Sequence, residues 1–195
     1  MPGDDLAIEV SIVREVSMSN AHTIPVSDEL WLTPLSATDR QRCVELLNNR
    51  EIERRMLTVP YPYGEAEFDD FLKISESEHE KYGCNIHFSV QHQTEGMIGG
   101  CGFHDIEPGH KVEVGYWLGQ PFWGRGFMTS VVAAACDYAT ETWNVKRIAA
   151  CVFEGNDRSA RVLEKNDFQF EGLLRKHDRK GNNFINTQVY AKILD

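Results

Sequence analysis

The chain has 195 residues, enough for one domain with a full core, and its 42% hydrophobic and 26% charged content is that of an ordinary globular protein. Thirty acidic residues against 20 basic give a formal net charge of -10, a field that repels nucleic acid and anionic membranes and draws cationic ligands. No apolar run approaches the roughly 20 residues that span a bilayer, and Met1-Pro2-Gly3-Asp4-Asp5 has neither the basic region nor the apolar core of a secretory signal, so a cytoplasmic or nuclear protein without a membrane or nucleic-acid partner is expected.

Residues 1 to 27 read as an N-terminal extension ahead of a domain over 28 to 195. Ile8, Val10 and Ile12 alternate with polar residues, which marks a candidate extra strand near 7 to 16, and a polar arm follows from Ser17 to Ser27. Leu30 to Leu35 is a strand closed by Pro34. Ser36 then caps a helix, with Asp39 three residues on and Cys43, Leu46 and Leu47 on the apolar side. A short helix runs from Arg50 to Met56. Thr58 to Gly64 is a stiff loop held extended by Pro60 and Pro62, which makes Tyr61 and Tyr63 candidate ligand contacts or ordinary packing residues. Glu65 to Lys81 is a third helix, with Phe68, Phe71 and Leu72 facing inward.

From Asn85 the period changes to two. Strands at 86 to 90, at Met97 to Ile106 and at Val112 to Leu118 are joined by short turns and form an antiparallel meander; Gly99, Gly100 and Gly102 predict a bulge or a close backbone approach. After Gly119 the period becomes helical. Phe127, Val131, Ala135, Ala139 and Trp143 form one row, and Met128, Val132 and Cys136 the row beside it. A helix of about four or five turns then leads to a strand at Lys146 to Phe153, which the crossover makes parallel to 112 to 118. Gly155-Asn156 opens a helix to about Asn166. Strands at 168 to 170 and 185 to 193 close the chain, joined by a basic loop from Arg175 to Asn183.

Between the third strand and the long helix stands Trp123-Gly124-Arg125-Gly126. A strand that passes through a glycine turn into a helix presents unpaired amides backed by the positive end of the helix dipole, which seats an anion. Arg125 adds a charge. The alternative is a plain connection whose glycines only make the turn. The five cysteines, at 43, 84, 101, 136 and 151, show no C-x-x-C pair and no metal-ligand spacing, so reduced, buried thiols and no metal are expected.

Gly115-Tyr116-Trp117-Leu118, Trp123 to Thr129, Asn156-Asp157-Arg158-Ser159 and Val162 to Phe168 resemble the GNAT N-acetyltransferase superfamily, and within it the RimJ/RimL-like, ribosomal-protein-alanine branch. The resemblance covers about 28 to 195. It implies an α/β (α+β) fold with a mixed, mostly antiparallel sheet flanked by helices and a splayed parallel strand pair, 112 to 118 and 147 to 153. It implies acetyl-CoA as co-substrate, with pyrophosphate on the backbone at Gly124, Arg125, Gly126, Phe127, Met128 and Thr129 and the pantetheine arm along Trp117 and Leu118 and against Asn156. Two positions depart from the family pattern: Met128, where glycine or alanine is usual, and Asp167, where glycine is usual.

The chemistry requires a base for the ammonium of the acceptor and an acid for the departing thiolate. Glu113 is the candidate base, or else a solvated strand glutamate; His104 is the alternative base. Ser159 is the candidate acid, or else a hydrogen bonder at a helix start, where Asn156 is equally an N-cap. Cys151 lies on the second splayed strand, where it is placed to approach the thioester or else, as expected, to pack. Tyr61, Tyr63 and Tyr116 are candidate contacts for the acceptor, a protein N-terminus or a small cationic amine. A different acyl-CoA, or a non-catalytic acyl-CoA-binding module, is the alternative function. The absence of G-x-x-x-x-G-K-[ST] and G-x-G-x-x-G disfavours a general nucleotide binder. A monomer or homodimer is expected.

Overall fold

A computed structural model describes residues 23–195. Within it lies one eight-stranded sheet: β1 (Ile24–Pro25), β2 (Leu30–Pro34), β3 (His87–His92), β4 (Gly96–Glu107), β5 (Lys111–Leu118), β6 (Arg147–Phe153), β7 (Gln169–Lys180) and β8 (Asn183–Ile193), in the order β1-β2-β3-β4-β5-β6-β8-β7. Five α-helices accompany it: α1 (Arg40–Leu47), α2 (Arg50–Glu53), α3 (Glu65–Tyr82), α4 (Phe127–Trp143) and α5 (Asp157–Glu164). The β5–β6 pair is parallel and every other strand pair is antiparallel. No helix among the described residues is long and apolar enough to cross a membrane. The candidate strand near 7 to 16 lies outside the described residues, while the last part of the expected arm contributes β1.

Alternation along the strands sends side chains to two cores. Val112, Val114, Ile148, Ala150 and Val152 meet the apolar rows of α4 on one face, where Val131, Val132, Ala135, Cys136, Ala139 and Trp143 are buried. On the other face Cys43, Leu47, Ile52, Tyr63, Phe68 and Met97 form a smaller cluster under α1, α2 and α3. Met128 is 6% exposed, so its side chain turns into the core as its place in the α4 row predicts. Asp167 takes up φ +66, the left-handed turn expected where glycine is usual.

The glycines of β4 record close approaches. A Cβ on Gly99 would stand 2.4 Å from the Trp117 carbonyl oxygen, and one on Gly100 would stand 2.5 Å from Trp117 Nε1. A register shift lies in the β3–β4 pair at Val90/Gln91. At the start of α1 the Asp39 carboxylate accepts from the Ser36 amide (3.0 Å), as the sequence predicts, and also from Ser89 Oγ (2.7 Å) and Gln91 Nε2 (2.9 Å), which fastens the helix start to β3.

Two local expectations fail. Phe71 is 37% exposed rather than inward, lying edge-on against His87 with ring centroids 4.9 Å apart. Arg175 to Asn183 is not a loop: β7 and β8 pair up to Lys180↔Asn183, with register shifts at Phe170/Gly172 and Leu174/Asp178. Most of β7 is exposed, so its side chains carry no hydrophobic alternation, and the pairing is invisible to a periodicity argument.

Candidate active site

The register of β5 and β6 creates the site. The pair holds for three positions, Lys111↔Arg147, Val112↔Ile148 and Glu113↔Ala149, and then parts, although β5 continues to Leu118 and β6 to Phe153. The gap opens into a cavity of about 430 Å³ lined by Val114 to Leu118, Ala150 to Val152, the start of α4 and the α5 residues Arg158, Ser159, Arg161 and Val162. Ile52, Arg55 and Met56 form a further wall.

The glycine turn has the predicted geometry. Gly124 and Gly126 lie at φ +78 and +85, with nothing within 4 Å of a Cβ built on either. The start of α4 leaves first-turn amides without partners in the helix. Gly124, Gly126, Phe127, Met128 and Thr129 all border the cavity. The Thr129 amide, however, is bonded to the Gly126 carbonyl at 3.0 Å. Arg125 is exposed, and its guanidinium lies 5.8 and 6.0 Å from the Phe122 and Phe127 ring centroids rather than among the cavity-lining residues. The positive rim comes instead from Arg55, Arg158, Arg161 and Lys165. Arg55 and Arg158 stand 5.4 and 5.0 Å from the Trp123 ring centroid, and Trp123 Nε1 donates to the Leu118 carbonyl at 2.7 Å. The Leu118 carbonyl is thus engaged. Arg158 and Lys165 lie inside the motifs that carry the resemblance, which does not mark them as rim cations, whereas Arg55 and Arg161 lie outside them, and only the fold gathers the four.

Asn156 precedes α5, and its side chain makes no capping hydrogen bond; its carbonyl accepts the Ser159 and Ala160 amides at 3.0 and 3.2 Å. The amide group is therefore left to the cavity. Ser159 Oγ lies 2.9 Å from the Tyr116 hydroxyl, which also donates to the Ser159 carbonyl at 3.2 Å. Burial pushes the Tyr116 phenol up, so it stays protonated and fixes Ser159. Asn166 Nδ2 donates to Thr129 O (3.1 Å) and Val162 O (2.8 Å), locking α5 against the first turn of α4.

Glu113 is half-buried and lies opposite His104 on β4, on the sheet face away from α4. Burial raises its carboxyl pKa; His104 opposes the shift, Asp105 adds to it, the Cys151 thiol opposes it by donating a hydrogen bond, and Asp178 adds to it. Cys151 is exposed rather than packed. Its Sγ lies 3.7 Å from Glu113 Oε2, and partial desolvation of the sulfur followed by the Glu113 charge pushes its thiol up to about 12, which suppresses the thiolate. The other four cysteines are free, with Cys43, Cys101 and Cys136 buried. No group of metal-ligating side chains occurs among the described residues.

Tyr61 and Tyr63 are not cavity residues. Asn48 holds the Tyr63 backbone from both sides (2.6 and 3.1 Å) and draws its ring into the smaller core, 5% exposed. Tyr61 is 40% exposed, with the Arg50 guanidinium 3.7 Å from its ring centroid. Tyr116 lies in the cavity wall but faces Ser159.

Residues 29–169 match the family model described as an acetyltransferase (GNAT) domain. The uncharacterized N-acetyltransferase p20 of Bacillus licheniformis is 27% identical over 85% of this chain and 93% of its own length. The [ribosomal protein uS5]-alanine N-acetyltransferase of Escherichia coli is 30% identical over 52% of this chain and 54% of its own. Among solved structures, RimL, a ribosomal L7/L12 alpha-N-protein acetyltransferase in complex with coenzyme A, superposes with a TM-score of 0.80 at 23% identity, covering 89% of this chain and 98% of its own. The microcin C7 self-immunity acetyltransferase MccE, solved with acetyl-CoA and AMP, gives 0.77 at 20% identity over 87% and 94%. With the splayed parallel pair, the glycine turn and a domain match over most of its length, the chain belongs to the GNAT acetyltransferase family.

Proposed function

We propose that this protein transfers the acetyl group of acetyl-CoA to a primary amine by direct attack on the thioester. The observation that carries the reading is the β5–β6 splay: a cavity with a glycine turn and a cationic rim at one wall, and Asn156 and Ser159 at another. A rim of four cations in a chain of net charge -10 is a local reversal of field suited to phosphates. The amides of the glycine turn take the pyrophosphate, and the Asn156 amide meets the pantetheine arm.

Glu113 takes the ammonium proton, directly or through water. Its raised pKa makes it a better proton acceptor than an ordinary carboxylate. Backbone amides in the splay stabilise the oxyanion. Ser159, fixed by Tyr116, gives a proton to the departing thiolate. The acceptor approaches the sheet face that carries Glu113, where Asp105 and Asp178 bias the field toward a cation. A protein alpha-amine, as in the name of the RimL ribosomal L7/L12 alpha-N-protein acetyltransferase, and a small cationic amine both meet that requirement.

The test is thermal unfolding with acetyl-CoA, CoA, ATP and NAD, followed by thiol release with a panel of amines. Stabilisation by acetyl-CoA and CoA alone, about 2.7 kcal/mol at a hundred times the dissociation constant, is the expected result. No shift at millimolar acetyl-CoA overturns the reading, and a shift without turnover on any amine favours a non-catalytic acyl-CoA-binding module.

A further inference from the structure

α2 has four residues, too short to hold its own position by helical hydrogen bonding, yet with the turn after it this segment supplies Ile52, Arg55 and Met56 to the cavity wall. What fixes it comes from far along the chain. The ammonium of Lys180, the last residue of β7, donates to the carbonyls of Glu53 and Met56 (2.7 Å for the latter) and pairs with Glu53 Oε1 at 2.8 Å. Both side chains are largely withdrawn from water, 22% and 16% exposed, unlike most ion pairs of this molecule. At the other end Asn49 caps α2 by accepting the Glu51 amide (2.8 Å) and donates to Gln120 Oε1 (2.6 Å).

We infer that Lys180 is a specificity-determining residue for the acceptor. By tying the tip of the β7–β8 ribbon to the carbonyls that follow α2, it holds this wall of the cleft at a set distance from the splayed strands. The same ribbon carries Asp178, whose charge reaches Glu113 and Cys151 on the acceptor side, while the clamped segment runs from that side to the rim, where Arg55 stands 5.4 Å from the Trp123 ring centroid. A wall pinned by a desolvated ammonium cannot step aside for a bulky acceptor. The aperture then selects by shape, favouring an amine on a slender stem over one on a branched or cyclic carbon. This inference rests on the acetyl-transfer reading and adds a determinant of selectivity to it.

The experiment compares the unaltered protein with Lys180→Met, Lys180→Arg and Glu53→Gln. It measures acetyl-CoA affinity, hydrogen exchange of amides 50 to 58, and kcat/KM for n-butylamine and cyclohexylamine. Lys180→Met should speed exchange in that segment and narrow the preference for the linear amine about tenfold, within the range by which pocket shape separates hydrocarbon substituents. Acetyl-CoA affinity should fall modestly, because the freed segment carries Arg55 of the cationic rim, and the ratio between the two amines, read at saturating acetyl-CoA, is insensitive to that loss. Lys180→Arg, which can still donate to both carbonyls, should restore the preference, and Glu53→Gln should fall between. Faster exchange with an unchanged amine preference reduces Lys180 to a structural role and overturns the inference, as does unchanged exchange. Absence of turnover in the unaltered protein overturns the transfer reading and the specificity role with it, while exchange still reports whether the clamp holds the wall.

Discussion

Cys151 Sγ lies 3.7 Å from Glu113 Oε2, two residues past the point where β5 and β6 stop pairing. The thiol donates, the carboxylate accepts, and desolvation first and the Glu113 charge second keep the thiol above its ordinary pKa. The two side chains therefore report on each other. In Glu113→Gln the negative charge is gone, and Cys151 should react faster with iodoacetamide at pH 8 than in the unaltered protein. An unchanged or slower alkylation rate, followed by mass spectrometry on the intact chain, would show that the carboxylate does not control the thiol.

Glu113→Gln should also lower kcat/KM for amine acetylation by about 10² to 10⁴-fold, the usual worth of a positioned base. Burial raises the folded-state pKa of Glu113. The folded chain therefore holds this proton more tightly than the unfolded chain, and the associated stability is complete below the unfolded value and lost as pH rises through the folded one. The glutamine variant escapes that loss. Its melting temperature at pH 8 should equal or exceed that of the unaltered protein while activity collapses, and the limb of the pH profile that rises from acid should disappear.

Asn156→Ala separates ligand contact from capping. A capping asparagine costs about 1 kcal/mol when truncated, but this side chain makes no capping bond. Unfolding without ligand should be nearly unchanged, and calorimetry should show weaker CoA binding. A large loss of stability with intact affinity would identify Asn156 as a structural residue only.

Arg158→Ala removes one of the two cations flanking Trp123 and a member of the cavity rim. CoA binding should weaken, by about tenfold if the contact to phosphate is charge-assisted, and its dependence on salt should become shallower. Equal affinity and equal salt dependence would place the phosphates elsewhere.

Asp39→Ala tests the anchor between α1 and β3. Its buried carboxylate accepts from Ser36, Ser89 and Gln91, and truncation leaves those donors unpaired, at a cost of about 2 to 4 kcal/mol in denaturant unfolding. A loss below about 1 kcal/mol would mean that water replaces the carboxylate at little cost.

The amino-acid sequence by itself determined the order of strands and helices from Leu30 to Phe153, the parallel crossover, the glycine turn before α4, the inward Met128 and the left-handed Asp167. These depend on periodicity and on backbone preferences that act within a few residues. The resemblance carried by Gly115 to Leu118, Trp123 to Thr129 and Asn156 to Ser159 located the cavity for the same reason, since each motif is contiguous. Only the tertiary structure decided which side chains surround that cavity. Asn48 drew Tyr63 into a core, Arg125 turned outward over Phe122 and Phe127, and Arg55 and Arg158, 103 positions apart, met on Trp123. Lys180 reached α2 across more than half the chain, through a ribbon that shows no hydrophobic alternation because water covers most of β7. Contacts of that kind leave no period and no spacing in the sequence, because what brings the partners together is the packing of the sheet between them.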